Sequence, residues 1–223
     1  MSTLTDLLTA RTCLLLDFDG PICAVFSGLT SRDAVEHLGS QLDTPLPPVI
    51  SETTDPFDVL EYARGLGPAT ATRIERAFTR IELEAVAQSS QTPDGAELIR
   101  YASRRGYSVA VVSNNSAESI SAYLDRYNLR DDIAGIFART PANLDKFKPG
   151  PYLLDLAMQA LGTNVKQTVF VGDSTTDIQA AHAAQVTSIA FANRPEKVDR
   201  FADYGPGAVI THLTDLMDAL VVG

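Results

Sequence analysis

The sequence predicts an α/β fold: a doubly wound parallel sheet into which an all-helical segment is inserted. Three observations lead to this prediction: short apolar runs without polar alternation, amphipathic stretches of helical length between them, and one long interval with helical patterns but no strand. Unalternating apolar runs are typical of strands covered on both faces, as in a parallel sheet. Strands that alternate with helices indicate βαβ crossovers, and such units in series build a Rossmann-like core.

The predicted strands and helices alternate along most of the chain. The apolar runs are Cys13–Leu16, Val109–Val112, a weaker run at Ile133–Phe137, Thr168–Val171, Thr187–Phe191 and Ala208–Ile210. The amphipathic stretches are Ala96–Arg105, Ala117–Tyr127, Tyr152–Leu161, Ile178–Ala184 and Leu213–Leu220. This order predicts one core sheet with helices on both faces.

The interval from Ala24 to Gln91 breaks the alternation. It contains only helical patterns, namely Arg32–Leu38, Phe57–Arg64 and Thr72–Ala87. Asp55 as N-cap and Pro56 at the first helical position mark the start of the second of these helices. We therefore expect a core domain of residues 1–23 and 92–223 and an all-helical cap domain of residues 24–91.

The composition is that of an acidic globular chain. The 223 residues carry a formal net charge of -10, which argues against nucleic acid as a partner because binding by counterion release needs a basic face. The chain has two cysteines, Cys13 and Cys23, and so few cysteines are typical of a protein from a reducing compartment. No stretch reads as a leader peptide or a membrane span. The expectation is a cytoplasmic monomer or homodimer that binds neither nucleic acid nor membrane.

Two aspartates follow the first predicted strand. Asp17 and Asp19 stand two residues apart in the stretch DFDG, so on an extended chain both carboxylates face the same space. Ligands of open α/β sheets bind beyond the carboxyl ends of the strands. Two neighbouring carboxylates there can serve as an ionised nucleophile or ligand and as a proton carrier. The alternative is that Asp17 caps a turn and Asp19 is solvated.

A polar segment follows the strand at Val109–Val112. Ser113, Asn114 and Asn115 lead into the helix predicted from Ala117, so a hydroxyl and free backbone N–H groups lie at a helix N-terminus. Such a position attracts anions, and phosphate would fit it. Taken alone, the segment is explained more simply by Ser113 or Asn115 capping the helix.

A second acid pair follows the strand at Thr168–Val171. Asp173 and Asp177 lie in the stretch GDSTTD; with Asp17 and Asp19 they make four carboxylates at strand ends. Hard oxygen ligands without a cluster of histidine or cysteine select Mg²⁺ over zinc. The alternative is a helix start at which acidic residues complement the helix dipole.

One lysine is a candidate to join these acids. Lys148 lies in the stretch KFKPGPY, just before the helix predicted at Tyr152–Leu161. A lysine near several carboxylates lowers their mutual repulsion and can contact a phosphoryl oxygen. Lys146 is the competing candidate, and solvent exposure is the ordinary state of either side chain. The four motifs together favour a functional site, because the acid pair, the Ser-Asn, the Lys-Pro and the second acid pair occur in order along the chain.

This order of motifs resembles the haloacid dehalogenase-like superfamily of hydrolases. The four signatures of that family are represented here by DFDG (Asp17–Gly20), VVSNN (Val111–Asn115), KP (Lys148–Pro149) and GDSTTD (Gly172–Asp177). The inserted helical interval resembles the family's cap domain. One departure is Pro21, which stands where family members commonly carry Thr or Val and implies a stiffer turn after the first strand.

The resemblance implies a role for each residue of these motifs. Asp17 would be the nucleophile that forms an aspartyl-phosphate, and Asp19 would protonate the leaving oxygen and then activate water. Ser113 and the backbone of Asn114 would hold phosphoryl oxygens. Lys148 would steady both the nucleophile and the transferring group.

The resemblance also implies a Mg²⁺ site. Asp173, Asp17 and the main-chain carbonyl of Asp19 would bind the ion, and Asp177 would bind it directly or act through a neighbouring ligand. This agrees with the physics of phosphoryl transfer, in which charge spreads over the equatorial oxygens and catalysis consists mainly of positioning and counter-charge.

The expected activity is Mg²⁺-dependent hydrolysis of a small, anionic phosphorylated metabolite, a phosphate monoester, in the manner of a phosphoglycolate phosphatase. Arg64, between two cap helices, and Asn115 are the candidates for substrate specificity. A 2-haloacid dehalogenase is disfavoured because relatives of that kind lack the second aspartate, here Asp19. The remaining alternatives are a phosphomutase of the same fold and a catalytically idle binding protein.

Overall fold

The structure is a computed structural model and describes residues 3–220. The chain divides into two compact units: one contains the residues up to Ala24 and those from Gln91 onward, and the other is the inserted segment Val25–Ser90. The function of the inserted unit as a cap, with the domain bounds given above, stays a prediction.

The helices and strands follow one another along the chain as follows: α1 (Leu4–Leu8), β1 (Cys13–Leu16), β2 (Cys23–Ala24), α2 (Ser31–Ser40), α3 (Pro48–Ser51), α4 (Pro56–Gly65), α5 (Pro68–Gln88), β3 (Ser90–Gln91), α6 (Gly95–Arg104), β4 (Ser108–Ser116), α7 (Ala117–Arg126), β5 (Gly135–Arg139), α8 (Tyr152–Leu161), β6 (Thr168–Gly172), α9 (Thr175–Ala183), β7 (Thr187–Phe191), α10 (Glu196–Ala202), β8 (Ala208–Ile210) and α11 (Leu213–Ala219). Of these helices, none within residues 3–220 is long and apolar enough to cross a membrane.

Six strands of the first unit form a parallel sheet in the order β5-β4-β1-β6-β7-β8. The chain starts at β1, adds β4 and β5 on one side, and then crosses over to add β6, β7 and β8 on the other. The connections therefore diverge around β1, and the crevice beyond its carboxyl end is the usual ligand position in such sheets. The predicted α/β fold with a doubly wound parallel sheet is confirmed.

Burial on both faces explains the unalternating apolar runs. All four residues of β1 are buried, and Leu15 pairs in register with Ala110 on one side and Phe170 on the other. Helices α8 and α9 contribute Leu154 and Ala181 to the same core cluster. The middle of the sheet is thus a rigid base for the side chains that follow each strand.

The structure adds several short elements that the sequence patterns do not predict. Helix α1 has five residues, α3 four and α10 seven. Segments of this length complete at most two turns, so they carry no readable helical period. One of them, α10, carries Lys197, whose ammonium contacts Asp173 at the carboxyl end of β6.

The inserted unit contains helices α2 to α5. As predicted, Asp55 caps α4: its carboxylate accepts a hydrogen bond from the backbone N–H of Phe57 at 2.9 Å, and Pro56 occupies the first turn. Phe57 then packs edge-on against Phe78 of α5, with ring centres 5.0 Å apart. This contact joins the two longest helical patterns of the insertion.

Candidate active site

Asp17 lies at the carboxyl end of β1, in the middle of the sheet. Its backbone N–H donates to the carbonyl of Val171 on β6 at 2.8 Å, so the residue still belongs to the sheet ladder. One carboxylate oxygen accepts a hydrogen bond from the N–H of Phe18 at 2.7 Å. Asp17 is 7% exposed, a degree of burial that a carboxylate sustains only with partners.

The partner is Lys148. Its Nζ atom lies 2.9 Å from Oδ1 of Asp17 and 2.5 Å from Oδ1 of Asp177. It also lies 5.3 Å from the centre of the Phe170 ring. The competing Lys146 is exposed, with its ammonium 4.4 Å from the ring centre of Tyr152. The structure therefore brings Lys148, and not Lys146, to the acids.

Asn114 holds the backbone of Lys148 in place. The N–H of Lys148 donates to Oδ1 of Asn114 at 2.9 Å, and Nδ2 of Asn114 donates to the carbonyl of Lys148 at 3.0 Å. The carbonyl of Asn114 accepts in turn from the guanidinium of Arg139 at 3.2 Å. The last residues of β4 and the loop before α8 are thereby joined at the lysine.

Asp177 serves both as a helix cap partner and as a partner of the lysine. Its Oδ2 accepts from the N–H and the hydroxyl of Ser174 at 3.0 and 2.6 Å, which completes a capping box at the start of α9. Its Oδ1 accepts from Lys148. A side chain on Gly172 would place Cβ 2.4 Å from Cγ of Asp177, so only glycine leaves room for this carboxylate.

Asp173 is held from a different side. Its Oδ2 accepts from Nζ of Lys197 at 2.5 Å and from Nδ2 of Asn193 at 2.9 Å. Gly20 leaves room for this carboxylate: it has φ of +105°, and a Cβ there would lie 2.2 Å from Cγ of Asp173. Neither Lys197 nor Asn193 belongs to the four motifs, although both follow the end of β7 and the rule of inspecting strand ends could have found them.

The carboxylates of Asp17, Asp173 and Asp177 form a cluster. Each offers one oxygen, and these oxygens lie within 4.8 Å of one another. Asp19 stands in the turn after β1, half-buried, with its backbone bridged to Cys23. The contribution of the Asp19 carbonyl to a metal site stays a prediction.

The electrostatics of the cluster follow from its burial. Burial, reinforced by the charge of Asp177 and opposed by Lys148, raises the pKa of Asp17 to about 7. Burial alone would lower the pKa of Lys148, but the charges of Asp17 and Asp177 reverse the effect and raise it. Burial also raises the pKa of Asp173, against the opposing charge of Lys197. Without a metal, burial and mutual repulsion thus favour a bound proton on Asp17 and Asp173.

Strand β4 is longer than predicted and includes the polar segment after Val112. Strand β4 continues to Ser116 with an irregularity in its pairing between Ser113 and Ser116, and Ser116 caps α7 by accepting from the N–H of Ser119 at 3.3 Å. The interpretation that Ser113 or Asn115 caps this helix is therefore wrong. The buried hydroxyl of Ser113 instead donates to Oδ1 of Asn115 at 3.1 Å.

The two candidates for specificity lie in different units. Asn115 is buried beside Ser113 in the first unit, whereas Arg64 lies in the last turn of α4 in the inserted unit and pairs with Glu61. Their effect on substrate choice stays a prediction.

The turn that follows Asp19 is fixed through its carbonyl groups. The carbonyl of Gly20 accepts from the hydroxyl of Thr92 at 2.5 Å. The carbonyl of Ile22 accepts from the N–H of Thr92 at 3.2 Å and from the hydroxyl of Tyr123 at 3.0 Å. The motifs point to neither of these two supporting residues, since each lies about 70 to 100 residues from the turn.

Comparisons with known proteins agree on one family. The model of the haloacid dehalogenase-like hydrolases matches residues 17–191. A phosphoglycolate phosphatase of Pseudomonas syringae is 30% identical over 92% of this chain and 78% of that protein. The pyrophosphatase PpaX of Halalkalibacterium halodurans is 28% identical over 56% of this chain and 58% of its own length.

The solved structures support the same fold. A mutant of CbbY from Rhodobacter sphaeroides in complex with xylulose-(1,5)bisphosphate is similar with a TM-score of 0.73 at 21% identity, covering 94% of this chain and 99% of the other. At 21% identity this likeness shows a shared fold and nothing more.

Proposed function

The chain belongs to the haloacid dehalogenase-like hydrolases, and from this membership we propose that it is a phosphatase that hydrolyses the phosphate monoester of a small metabolite. The proposed cofactor is Mg²⁺ and the proposed nucleophile is Asp17. The proposed substrates are small phosphorylated acids, by analogy with the phosphoglycolate phosphatase relatives.

The position of Lys148 between Asp17 and Asp177 carries this proposal. The side chain of Lys148 is 2% exposed, and its ammonium group contacts two carboxylates. A simple capped turn has no use for such a buried charge. At the carboxyl edge of a parallel sheet it keeps Asp17 oriented and offers positive charge to an incoming anion. Phosphoryl transfer needs these two services, positioning and counter-charge.

The donors at this edge fit a divalent cation of the hard type. Asp17 and Asp173 supply carboxylate oxygens close together, and oxygen is the ligand that Mg²⁺ prefers. Both would hold the ion together with the carbonyl of Asp19, whereas Asp177, whose two oxygens already accept hydrogen bonds, would act by orienting Lys148. Bound there, the ion would supply positive charge for the phosphoryl oxygens.

The reaction would proceed in two displacements. A carboxylate oxygen of Asp17 attacks phosphorus, the bond from phosphorus to the leaving oxygen breaks, and Asp19 gives that oxygen a proton. Asp19 then takes a proton from water, the water oxygen attacks the same phosphorus, and inorganic phosphate leaves as the Asp17 carboxylate is restored. Lys148 would remain beside Asp17 in both displacements and offset the negative charge of the carboxylate and of the phosphoryl group.

Ser113 and the backbone of Asn114 would hold the phosphoryl oxygens. In the structure the Ser113 hydroxyl donates to Asn115, so binding of a phosphate group would turn this hydroxyl toward the ligand. Asn114 already orients the Lys148 backbone through its side chain, so the residue whose N–H is proposed to bind phosphate is itself held in place.

The test is release of inorganic phosphate from a panel of phosphorylated acids, phosphorylated sugars and p-nitrophenyl phosphate, with Mg²⁺ or with EDTA. We expect turnover that requires the metal, is lost in Asp17→Asn and persists in the control Asp155→Asn, whose side chain is exposed on α8. A phosphomutase would isomerise a phosphate ester without releasing phosphate. Absence of any reaction across the panel would favour a binding protein and contradict the proposal.

A further inference from the structure

Lys197 makes a two-point contact with Asp173 from outside the four motifs. Its Nζ lies 2.5 Å from Oδ2 and 2.8 Å from the main-chain carbonyl oxygen of the same aspartate. The lysine side chain is 22% exposed and the aspartate side chain 16%. The contact is thus largely removed from solvent, and one ammonium group fixes both the backbone and the side chain of Asp173.

Within residues 3–220, two side chains donate to this carboxylate, and both use the same oxygen. Asn193 donates to Oδ2 of Asp173 at 2.9 Å, beside Lys197. The other oxygen, Oδ1, is the one left to serve a cation. Gly20 confines the carboxylate on another side, because an atom at its Cβ position would lie 2.5 and 2.6 Å from the two oxygens.

The positive charge of Lys197 has a second effect, which opposes the binding of a cation. When all four carboxylates are ionised, Asp17, Asp19, Asp173 and Asp177 bring four negative charges, and the ammonium groups of Lys148 and Lys197 offset two of them. One divalent cation would neutralise the two negative charges that remain. Removing Lys197 would make the site more negative, and charge alone would then strengthen the binding of a cation.

On the premise of the phosphatase function above, we propose that Lys197 is a positioning residue of the metal site. Together with Asn193 it holds Oδ2 of Asp173 and thereby presents Oδ1 to the ion that Asp17 shares. Groups that orient a metal ligand typically change metal affinity or activity by 10- to 100-fold when removed. We expect this orienting effect to outweigh the added negative charge, so loss of Lys197 weakens metal binding.

The experiment is a calorimetric titration of the metal-free full-length chain with Mg²⁺ and with Mn²⁺. For Lys197→Met we expect a Kd raised by about tenfold, and for Lys197→Arg a Kd much closer to that of the unmodified protein. The matched control is Lys166→Met, which removes the same charge from an exposed lysine in the loop before β6. In p-nitrophenyl phosphate turnover, saturating metal should restore most of kcat in Lys197→Met while the metal concentration for half-maximal rate stays raised.

The outcomes separate this inference from the proposed function. If Lys197→Met binds the metal as tightly as the unmodified protein, or more tightly, the positioning role is wrong while the phosphatase function stands. If the unmodified protein binds neither ion and shows no metal-dependent turnover, both are wrong. If Lys197→Met does not fold, Asn193→Ala replaces it in the titration. A metal Kd raised by less than the tenfold expected for Lys197→Met supports the positioning role, and an unchanged Kd contradicts it.

Discussion

The ammonium of Lys148 and the carboxylate of Asp17 form a buried ion pair, with Nζ and Oδ1 2.9 Å apart and 2% and 9% of the two side chains exposed. Asp177 shares the same ammonium. Two carboxylates this close repel each other, so the lysine is what allows them to stand together. Under the proposed function, stability and chemistry at this edge of the sheet would therefore depend on the same residue.

Replacing Lys148 by Met is expected to damage both properties. Because two buried carboxylates lose their counter-charge, unfolding in urea should show a loss of about 3–5 kcal/mol. Loss of a charge that stabilises the transition state should lower kcat for phosphate release by about 10²–10³. Lys146→Met is the control, since Lys146 is exposed on the same loop; equal behaviour of the two variants would contradict the site.

Replacing Gly20 by Ala should disturb the metal site more than the fold. The new Cβ would stand 2.2 Å from Cγ of Asp173, so the carboxylate must move and the metal Kd should rise by at least about tenfold. Gly106→Ala is the control: Gly106 also has positive φ, at +83°, but apart from its chain neighbours no atom of residues 3–220 lies within 4 Å of the added Cβ. The control should lose only about 1 kcal/mol of stability. Titration with Mn²⁺ distinguishes the two, and an unchanged Kd in Gly20→Ala would count against Asp173 as a ligand.

Without metal, the stability of the chain should fall as the pH rises. The pKa of Asp17 is raised from 3.8 to about 7 in the folded protein, so the folded state holds this proton more tightly than the unfolded state does. The stabilisation is complete below pH 3.8 and is lost as the pH rises to about 7. Thermal melts in EDTA should show this loss relative to Asp17→Asn, which cannot titrate.

Metal should reverse that loss. The proposed Mg²⁺ ion would bind the ionised carboxylate, so binding should release a proton below pH 7, and the rise in Tm on adding Mg²⁺ should grow as the pH increases. A metal effect on Tm that is independent of pH between 5 and 8 would contradict direct ligation by Asp17.

Removing the hydroxyl of Thr92 should loosen the turn beside Asp19. Thr92→Val leaves the carbonyl of Gly20 without its 2.5 Å donor, an expected loss of about 1–3 kcal/mol together with a lower kcat. Tyr123→Phe should lose less stability, because the carbonyl of Ile22 keeps the N–H of Thr92 as a partner. Thr9→Val, which removes an exposed hydroxyl, is the control; a Thr92→Val variant equal to it in kcat and stability would show that the turn needs no such support.

The sequence predicted the parts of the site that chain order determines. The apolar run Cys13–Leu16 is buried on both faces, so the lack of polar alternation in this run identified β1 and placed Asp17 at the strand end. The same argument placed Asp173 after β6. In each case a local pattern and the topology of a parallel sheet were sufficient.

Other parts depend on the path of loops, which no local pattern encodes. Spacing alone could not choose between Lys146 and Lys148; the choice is made by the side chain of Asn114, which holds the backbone of Lys148. The sequence patterns do not identify Lys197 because α10, with seven residues, is too short to show a helical period. Tyr123 donates to the turn beside Asp19 from 101 residues away, a contact that exists only once the sheet has assembled.

The most direct test of the account is to find where the phosphoryl group rests during turnover. A substrate identified from the panel would be mixed with the Mg²⁺-loaded protein, quenched in acid within the first turnover, digested and analysed by mass spectrometry. We predict the added mass of one phosphoryl group on the peptide that contains Asp17, and none in Asp17→Asn. A phosphoryl group on another residue, or phosphate release that continues undiminished in Asp17→Asn, would contradict the account.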